Sequence, residues 1–262
     1  MLTFRDFIVA FRKLELGRQT PVVVHTSLSA FGPIQGGADT VVGALLATYE
    51  TVIMPVFTYK TMVTPEIGPE QNAILYGGAA DRNRMAEFFT AEMPADRMMG
   101  ATAEALRRHP RASRSNHPIL SFTGVNAGGI LDQQSIVEPL APIGALLQAG
   151  GWVLLLGVDH TVNTSIHYAE QLAGRKQFRR WALMPQGAQE CPNFPGCSNG
   201  FAAIGPELFT ITRRVAIGDG LVQALSLAEL TRTVRGMLDV DRMALLCDDQ
   251  YCERCQQVRL SL

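Results

Sequence analysis

Hydrophobic residues fall in short runs that alternate with amphipathic segments along most of the chain. Four runs predict buried strands: 21–25 (PVVVH), 51–57 (TVIMPVF), 119–124 (ILSFTG) and 151–158 (GWVLLLGV). Three intervening segments have helical composition and spacing, at 37–49, 99–110 and 142–150. This order predicts an α/β fold with a central, largely parallel or mixed sheet flanked by helices.

Two further regions depart from this pattern. Residues 209–230 predict two strands joined at Gly-Asp-Gly, an antiparallel pair toward the C-terminus at the sheet edge, followed by a helix. Residues 59–97 show little periodicity, which suits either an excursion over an active site or an irregular insertion. Since no linker stands out, we expect one domain over 1–262, with 247–262 as a cysteine-rich, metal-binding tail.

Composition narrows the classes of function. Of the 262 residues, 47% are hydrophobic, which is enough for a sizeable core, and the net charge of −1 argues against a nucleic-acid partner. The apolar runs are far shorter than the roughly 20 residues that span a bilayer. The first 17 residues lack the pattern of a signal peptide. We therefore expect a cytoplasmic protein with no membrane partner.

Polar residues gather where the predicted strands end, which is where open α/β sheets bind ligands. Segment 25–40 places hydroxyls and glycines before a helix, so its N–H groups suit phosphate, although a tight connection also needs small residues. It matches neither the Walker nor the Rossmann motif. In segment 99–118, donors at 114–117 suit an anionic ligand, whereas His117 alone suits a strand cap.

Segment 157–170 (GVDHTVNTSIHYAE) contains many polar and titratable residues that could act in catalysis or binding. Asn163, Thr164 or Ser165 is expected to cap a helix that holds His167 in its first turns. His160 and His167 lack the spacing of a metal motif, and no GxSxG nucleophile motif is present. Two interpretations of these histidines therefore remain open: a catalytic base and a structural residue.

Four segments together resemble the aminoglycoside 3-N-acetyltransferase family. They are 22–45 (VVVHTSLSAFGPIQGGADTVVGAL), 99–122 (MGATAEALRRHPRASRSNHPILSF), 151–170 (GWVLLLGVDHTVNTSIHYAE) and, more weakly, 196–205 (GCSNGFAAIG). The resemblance implies an α/β fold distinct from the general N-acetyltransferase superfamily. It also implies acetyl-coenzyme A as donor, a small-molecule amine as acceptor, no metal requirement, and a role in antibiotic resistance.

The resemblance also implies roles for particular residues. His167 matches the family's catalytic histidine, with Glu104 as the carboxylate that orients it and Asp159 as the alternative partner. Thr164 is expected to hold the thioester sulfur or to stabilise charge that develops during transfer. The residues expected to bind coenzyme A are His25, Thr26, Ser27, Leu28, Ser29, Ala30, Phe31, Gly32, Arg114, Ser115 and His117.

The acceptor is less sharply predicted than the donor. Family members that modify aminoglycosides are expected to offer an acidic acceptor site, yet segment 59–97 mixes acidic with basic residues. An aminoglycoside 3-amino group is the leading interpretation. The alternatives are another amine in metabolite biosynthesis and a non-catalytic coenzyme A-binding protein.

All five cysteines lie in the last third of the chain. The spacing Cys-x4-Cys-x2-Cys predicts a structural zinc site, with Cys197 as the fourth ligand and Cys191 as its alternative. The three ligands in the tail are Cys247, Cys252 and Cys255. Free thiols in an exposed tail are the competing interpretation.

Overall fold

A computed structural model describes the backbone of residues 1–262 and all side chains except those of residues 79 and 80. Its helices and strands, in chain order, are α1 (Phe4–Lys13), β1 (Val22–Thr26), α2 (Gly37–Thr48), β2 (Val52–Pro55), β3 (Met62–Val63), α3 (Ala79–Arg82), α4 (Gly100–Arg107), β4 (Ala112–Arg114), β5 (Phe122–Val125), α5 (Gly128–Leu131), α6 (Ala141–Gln148), β6 (Trp152–Leu156), α7 (Thr164–Leu172), β7 (Phe178–Met184), β8 (Gly187–Phe194), α8 (Gly205–Leu208), β9 (Arg213–Ile217), β10 (Gly220–Ser226), α9 (Leu227–Val240) and α10 (Glu253–Arg259).

Seven strands form the main sheet in the order β4-β5-β2-β1-β6-β10-β9. Its three central strands, β2, β1 and β6, are parallel, and antiparallel strands extend it on both sides. The sheet is therefore mixed. The predicted strand at 119–124 begins only at Phe122, because the N–H groups of Ile119 and Leu120 bond to Nδ1 of His117 in a turn.

The predicted strand pair toward the C-terminus is confirmed. β9 and β10 pair antiparallel at the sheet edge, and α9 follows directly. A second sheet of three antiparallel strands, β3-β7-β8, was not predicted. It stands apart from the main sheet and supplies part of the site described below.

The core lies on both faces of the main sheet, because successive strand residues point to opposite sides. In β1, Val23 packs into the cluster that includes α6, α7 and α9, whereas Val22 and Val24 pack with α1, α2 and α4. β6 alternates in the same way. No helix in the described part of the chain is long and apolar enough to cross a bilayer.

Candidate active site

A cavity of about 1560 Å³ opens at the carboxyl ends of β1 and β6. One side, which we call the main-sheet wall, comprises 24–28, 157–159 and 219–221. Another part of the lining, which we call the second-sheet wall, comprises Tyr59, Met62, Arg180, 194–199 and 252–254. Residues 161–164 and His167 also line the cavity. The cavity therefore combines strand ends of the main sheet with the second sheet and the C-terminal helix.

His167 enters the cavity from the start of α7. The helix begins after Asn163, whose side chain accepts a hydrogen bond of 3.1 Å from the N–H of Ser165. The imidazole packs on Phe201, with ring centroids 4.6 Å apart, and its Nδ1 lies 3.2 Å from Oε2 of Glu170. A carboxylate accepts hydrogen bonds, so this contact gives Nδ1 the donor role and leaves Nε2 as the nitrogen that can exchange a proton with a ligand.

Glu170 is in turn held by a buried cation. It is 3% exposed, and its Oε1 lies 3.5 Å from Nε of Arg175. Arg175 also donates a 2.7 Å hydrogen bond from Nη2 to the carbonyl oxygen of Ala244. This series of contacts fixes the imidazole through charged groups that solvent barely reaches.

Sequence reasoning missed both Glu170 and Arg175. For Glu170 the signal was present, because residues three apart in a helix share one face and Glu170 follows His167 by three. For Arg175 we find no such signal, since it lies beyond the end of α7.

The two carboxylates expected to orient His167 are engaged elsewhere. Glu104 receives two hydrogen bonds from Arg107, at 2.8 and 2.7 Å, and one of 3.1 Å from the N–H of Ala95. Although burial acts in the opposite direction, these bonds hold the pKa of Glu104 below its ordinary value. Asp159 lines the cavity but accepts from the N–H and hydroxyl of Thr161. Assigning either as the partner of His167 was therefore wrong in this structure.

The segment predicted to bind coenzyme A divides into two groups. His25, Thr26, Ser27, Leu28 and Ala30 line the cavity. This segment can approach the end of β6 only because residue 157 is glycine. The φ of Gly157 is 66°, and a Cβ there would lie 2.5 Å from the Cβ of Ala30.

The other three residues of that segment lie outside the cavity lining. Ser29 is exposed, with its Oγ 3.1 Å from that of Ser27. Phe31 is buried against Phe7, with ring centroids 5.7 Å apart. Gly32 has a φ of 72°, and a Cβ there would lie 3.0 Å from Oδ2 of Asp219. None of the three lines the cavity in this structure, so their contact with the coenzyme stays a prediction.

Two buried histidines near the main-sheet wall are neutral at physiological pH. Burial, reinforced by the charge of His160, lowers the pKa of His25 to about 3. Burial also lowers the pKa of His160, and the charge of Asp159 opposes this change. His25 therefore cannot attract an anion by carrying a charge.

Arg114, Ser115 and His117 serve the fold and do not line the cavity. The Arg114 guanidinium donates to the carbonyl oxygens of Ala91, Met93 and Val56 and to Oγ of Ser121. Ser115 bonds to the backbone of Phe122, and His117 accepts two backbone N–H groups through Nδ1. Burial lowers the pKa of His117 to about 4. Most of their donors and acceptors are engaged within the fold, although Nε2 of His117 is buried without a partner, so the contacts in this structure are structural and the coenzyme role stays a prediction.

Four cysteines meet at the second-sheet wall. The Sγ atoms of Cys197, Cys247, Cys252 and Cys255 all lie within 4.8 Å of one another. Cys247 and Cys255 are buried, and their sulfurs are 3.4 Å apart. Cys197 also accepts a 3.4 Å hydrogen bond from the N–H of Asn199. Gly200 permits this approach, because a Cβ there would lie 2.5 Å from the carbonyl oxygen of Leu245.

The electrostatics of the cluster favour one thiolate among its thiols. Hydrogen bonding from Cys255, supported by the Asn199 N–H and opposed by burial, lowers the pKa of Cys197 to about 5. The neighbouring Cys197 and burial raise the pKa of Cys255. Cys191 is absent from the group; it is buried, and its thiol donates to the carbonyl oxygen of Gln189.

The family model for aminoglycoside 3-N-acetyltransferase matches residues 23–239. An aminoglycoside N(3')-acetyltransferase-like protein of Bacillus subtilis, YokD, is 34% identical over 171 residues, which are 61% of each chain. Aminoglycoside N(3)-acetyltransferase III of Salmonella is 30% identical over 188 residues, 69% of this chain and 64% of that protein. The match thus spans less than two thirds of the length of either curated relative.

Solved structures share the fold. The apoenzyme of aminoglycoside acetyltransferase AAC(3)-IVa superposes with a TM-score of 0.80 at 22% identity, covering 100% of this chain and 98% of that one. AAC-IIIb in a binary complex with CoASH gives a TM-score of 0.72 at 23% identity, covering 91% and 96%.

Proposed function

Since the chain belongs to the aminoglycoside 3-N-acetyltransferase family, we propose that it transfers the acetyl group of acetyl-coenzyme A to an amino group, with an aminoglycoside 3-amino group as the leading acceptor. The observation that carries the proposal is the His167 imidazole at the cavity, held by Glu170 through Nδ1. We further propose that residues 1–262 act as one acetyltransferase domain in the cytoplasm.

Coenzyme A is assigned to the main-sheet wall. The cavity exceeds the 300–1000 Å³ of ordinary small-molecule pockets, so it has room for a coenzyme and an acceptor together. The hydroxyl of Ser27 on this wall and the first turn of α7 in the adjoining lining, including Thr164, offer hydrogen-bond donors. A neighbour that was solved with CoASH supports this choice of donor.

The reaction then needs one proton removed from the amine. The amine nitrogen attacks the thioester carbonyl, forming a C–N bond, while Nε2 of His167 takes the proton from nitrogen. The C–S bond breaks as the carbonyl re-forms, and the coenzyme leaves as a thiolate that accepts the proton held by Nε2 of His167. Glu170 stabilises the transient imidazolium through Nδ1, and the Thr164 hydroxyl can donate to the developing charge. The acetyl group passes directly, within a ternary complex.

Release of free thiol from acetyl-coenzyme A tests this proposal. We expect release that depends on both enzyme and amine, with an aminoglycoside panel and other amines assayed in parallel. Release with aminoglycosides supports the leading acceptor, and release with other amines alone supports a biosynthetic amine. Coenzyme binding without release from any amine would contradict the transfer reaction and favour a coenzyme-binding protein.

We also propose a structural zinc ion at Cys197, Cys247, Cys252 and Cys255. Tetrahedral zinc–sulfur bonds of about 2.3 Å place ligand sulfurs roughly 3.8 Å apart, which suits sulfurs that lie within 4.8 Å of one another. The Asn199 N–H donating to Cys197 is the kind of bond that a metal-bound thiolate accepts. Such an ion would tie the loop at 195–199 to the start of α10.

Elemental analysis of the purified chain tests this assignment. We expect about one zinc per chain, lost in Cys252→Ser and retained in Cys191→Ala, because Cys191 lies outside the cluster. Protein that folds without zinc, or that keeps zinc in Cys252→Ser, would contradict it.

A further inference from the structure

Two arginines, Arg180 and Arg254, line the second-sheet wall. Arg180 is 5% exposed, and its guanidinium lies 5.4 Å from the centroid of Phe178 and 5.2 Å from that of Phe194. Its Nη1 donates to the carbonyl oxygens of Asn72 and Arg179, at 3.0 and 2.7 Å. Within the described residues, its other guanidinium nitrogens have no hydrogen-bond partner. The Arg180 guanidinium is therefore fixed in place, and its remaining N–H groups are available to a ligand.

Arg254 brings a second positive charge to the same wall. It projects from α10, and its Nη1 donates 3.0 Å to the carbonyl oxygen of Gly196. Burial and the charge of Arg254 lower the pKa of Arg180 to about 10, while Tyr76 and the exposed Glu253 act in the opposite direction. Across the described side chains, neither arginine forms a salt bridge.

Two neighbouring cations without a paired carboxylate are costly when one of them is buried. An anion between them would relieve that cost, and the guanidinium fork matches the geometry of carboxylate and phosphate oxygens. Four acids lie in the wider lining. Asp96 and Asp159 each accept from backbone N–H groups of their own turns, whereas Asp219 and Glu253 are exposed, so solvent screens their charge.

We propose that Arg180 and Arg254 form an anion subsite for an acidic group of the acceptor, which favours the alternative acceptor, an amine other than an aminoglycoside, and gives that amine a carboxylate or phosphate. This inference rests on the proposed function, and it names the substrate class of the same cavity. The subsite is assigned to the acceptor because the second sheet and α10 supply it, whereas the segment 24–28 that we assign to the coenzyme lies at a strand end of the main sheet. The coenzyme's own phosphates share this chemistry, so the test must separate the two sources.

Calorimetric titration with inorganic phosphate, in saturating coenzyme A, separates them. We expect phosphate to bind the coenzyme-loaded chain and to bind roughly tenfold more weakly in Arg180→Gln and in Arg254→Gln. The matched control is Arg179→Gln on the same strand, because Arg179 is exposed and pairs with Glu190 at 3.1 Å. Its phosphate affinity should match that of the wild type.

Three results would overturn the subsite: no phosphate binding, binding that saturating coenzyme A abolishes, and equal weakening in Arg179→Gln. Should Arg180→Gln fail to fold, the partly exposed Arg254 carries the test. The measurement needs no turnover. The subsite and acetyl transfer can therefore fail separately, because thiol release reports on the second alone.

Kinetics with an ω-amino acid and its amide test the substrate class. We expect kcat/KM to favour the acid by roughly tenfold, and Arg254→Gln to remove that preference with little change in KM for acetyl-coenzyme A. Equal use of acid and amide by the wild type, or a variant that raises only the KM for acetyl-coenzyme A, would contradict the proposal.

Discussion

The two walls of the cavity are built in different ways. The main-sheet wall consists of strand ends and short connections, and it offers hydroxyl groups and a neutral His25. The second-sheet wall presents two arginines and a cluster of four cysteines. In our proposal the coenzyme lies on the first wall, and the second wall is left to recognise the acceptor.

His167 is connected to both walls. It extends from the helix that begins at the main-sheet wall, and its partner Glu170 pairs with Arg175. Arg175 bonds to the carbonyl oxygen of Ala244, three residues before Cys247 of the cluster. Order in the C-terminal segment is therefore expected to influence the position of the catalytic imidazole.

Among substitutions that leave His167 in place, Glu170→Gln should have the largest effect. We expect kcat to fall about a hundredfold, because the amide no longer stabilises the imidazolium, and we expect the pH profile of kcat to change. Glu104→Gln should leave that pH profile unmoved, since Glu104 pairs with Arg107. Steady-state rates from pH 5 to 9 measure both.

A lower rate in Glu170→Gln could come from unfolding of the variant or from a misoriented His167 imidazole, and the two causes must be distinguished. Removing one partner of the buried Glu170–Arg175 pair is destabilising, so circular dichroism must show that Glu170→Gln is folded at the assay temperature. A folded Glu170→Gln variant with wild-type rate and pH profile would refute the role of Glu170.

The cysteine cluster should contribute more to the stability of the second-sheet wall than to that of the main-sheet wall. We expect Cys252→Ser to lower the free energy of unfolding by roughly 3 kcal/mol, as removal of a structural metal does, and Cys191→Ala by about 1 kcal/mol. A chelator should destabilise the wild type and Cys191→Ala but add nothing to Cys252→Ser. Urea unfolding of the three proteins measures this, and equal chelator sensitivity would argue against the metal.

A further effect, which develops only below pH 6.5, concerns the buried histidines. The pKa values of His25 and His117 are lowered by burial to about 3 and about 4, against about 6.5 in the unfolded chain. Below pH 6.5 the unfolded state binds protons that the native state excludes, so stability falls between pH 6.5 and about 4. Each histidine should contribute about 1.4 kcal/mol per pH unit across most of that window.

Substitution by asparagine checks this pH dependence. His117→Asn keeps an acceptor for the N–H groups of Ile119 and Leu120 while removing the titration. Urea unfolding at pH 7, 6 and 5 should show a shallower loss of stability for His117→Asn than for the wild type. Parallel losses in the two proteins would contradict the assignment.

The main sheet could be predicted from the sequence because its strands are continuous apolar runs. β1 and β6 are buried on both faces, so their hydrophobic signal is strong. β7 and β8 read as FRRWALM and GAQECPNF, with a buried arginine and little alternation. Their pairing depends on Arg180 packing between aromatic rings, which no local pattern reveals.

The sequence predicted some residues of the site and missed others, whereas most of the main sheet was predicted. The position of His167 and the grouping of Cys197 with the tail cysteines agree with the sequence prediction. The contacts of Arg114 were missed, because its donors bind backbone carbonyls that are 21 to 58 residues away in sequence. The partner of His167 was sought at a distance although it lay one helical turn away.

Replacement of His167 by alanine tests the central claim most directly, when turnover and coenzyme A affinity are measured on the same preparation. We expect kcat to fall by about a factor of 10² to 10⁴, with the calorimetric Kd for coenzyme A nearly unchanged. Wild-type turnover in His167→Ala would contradict the account.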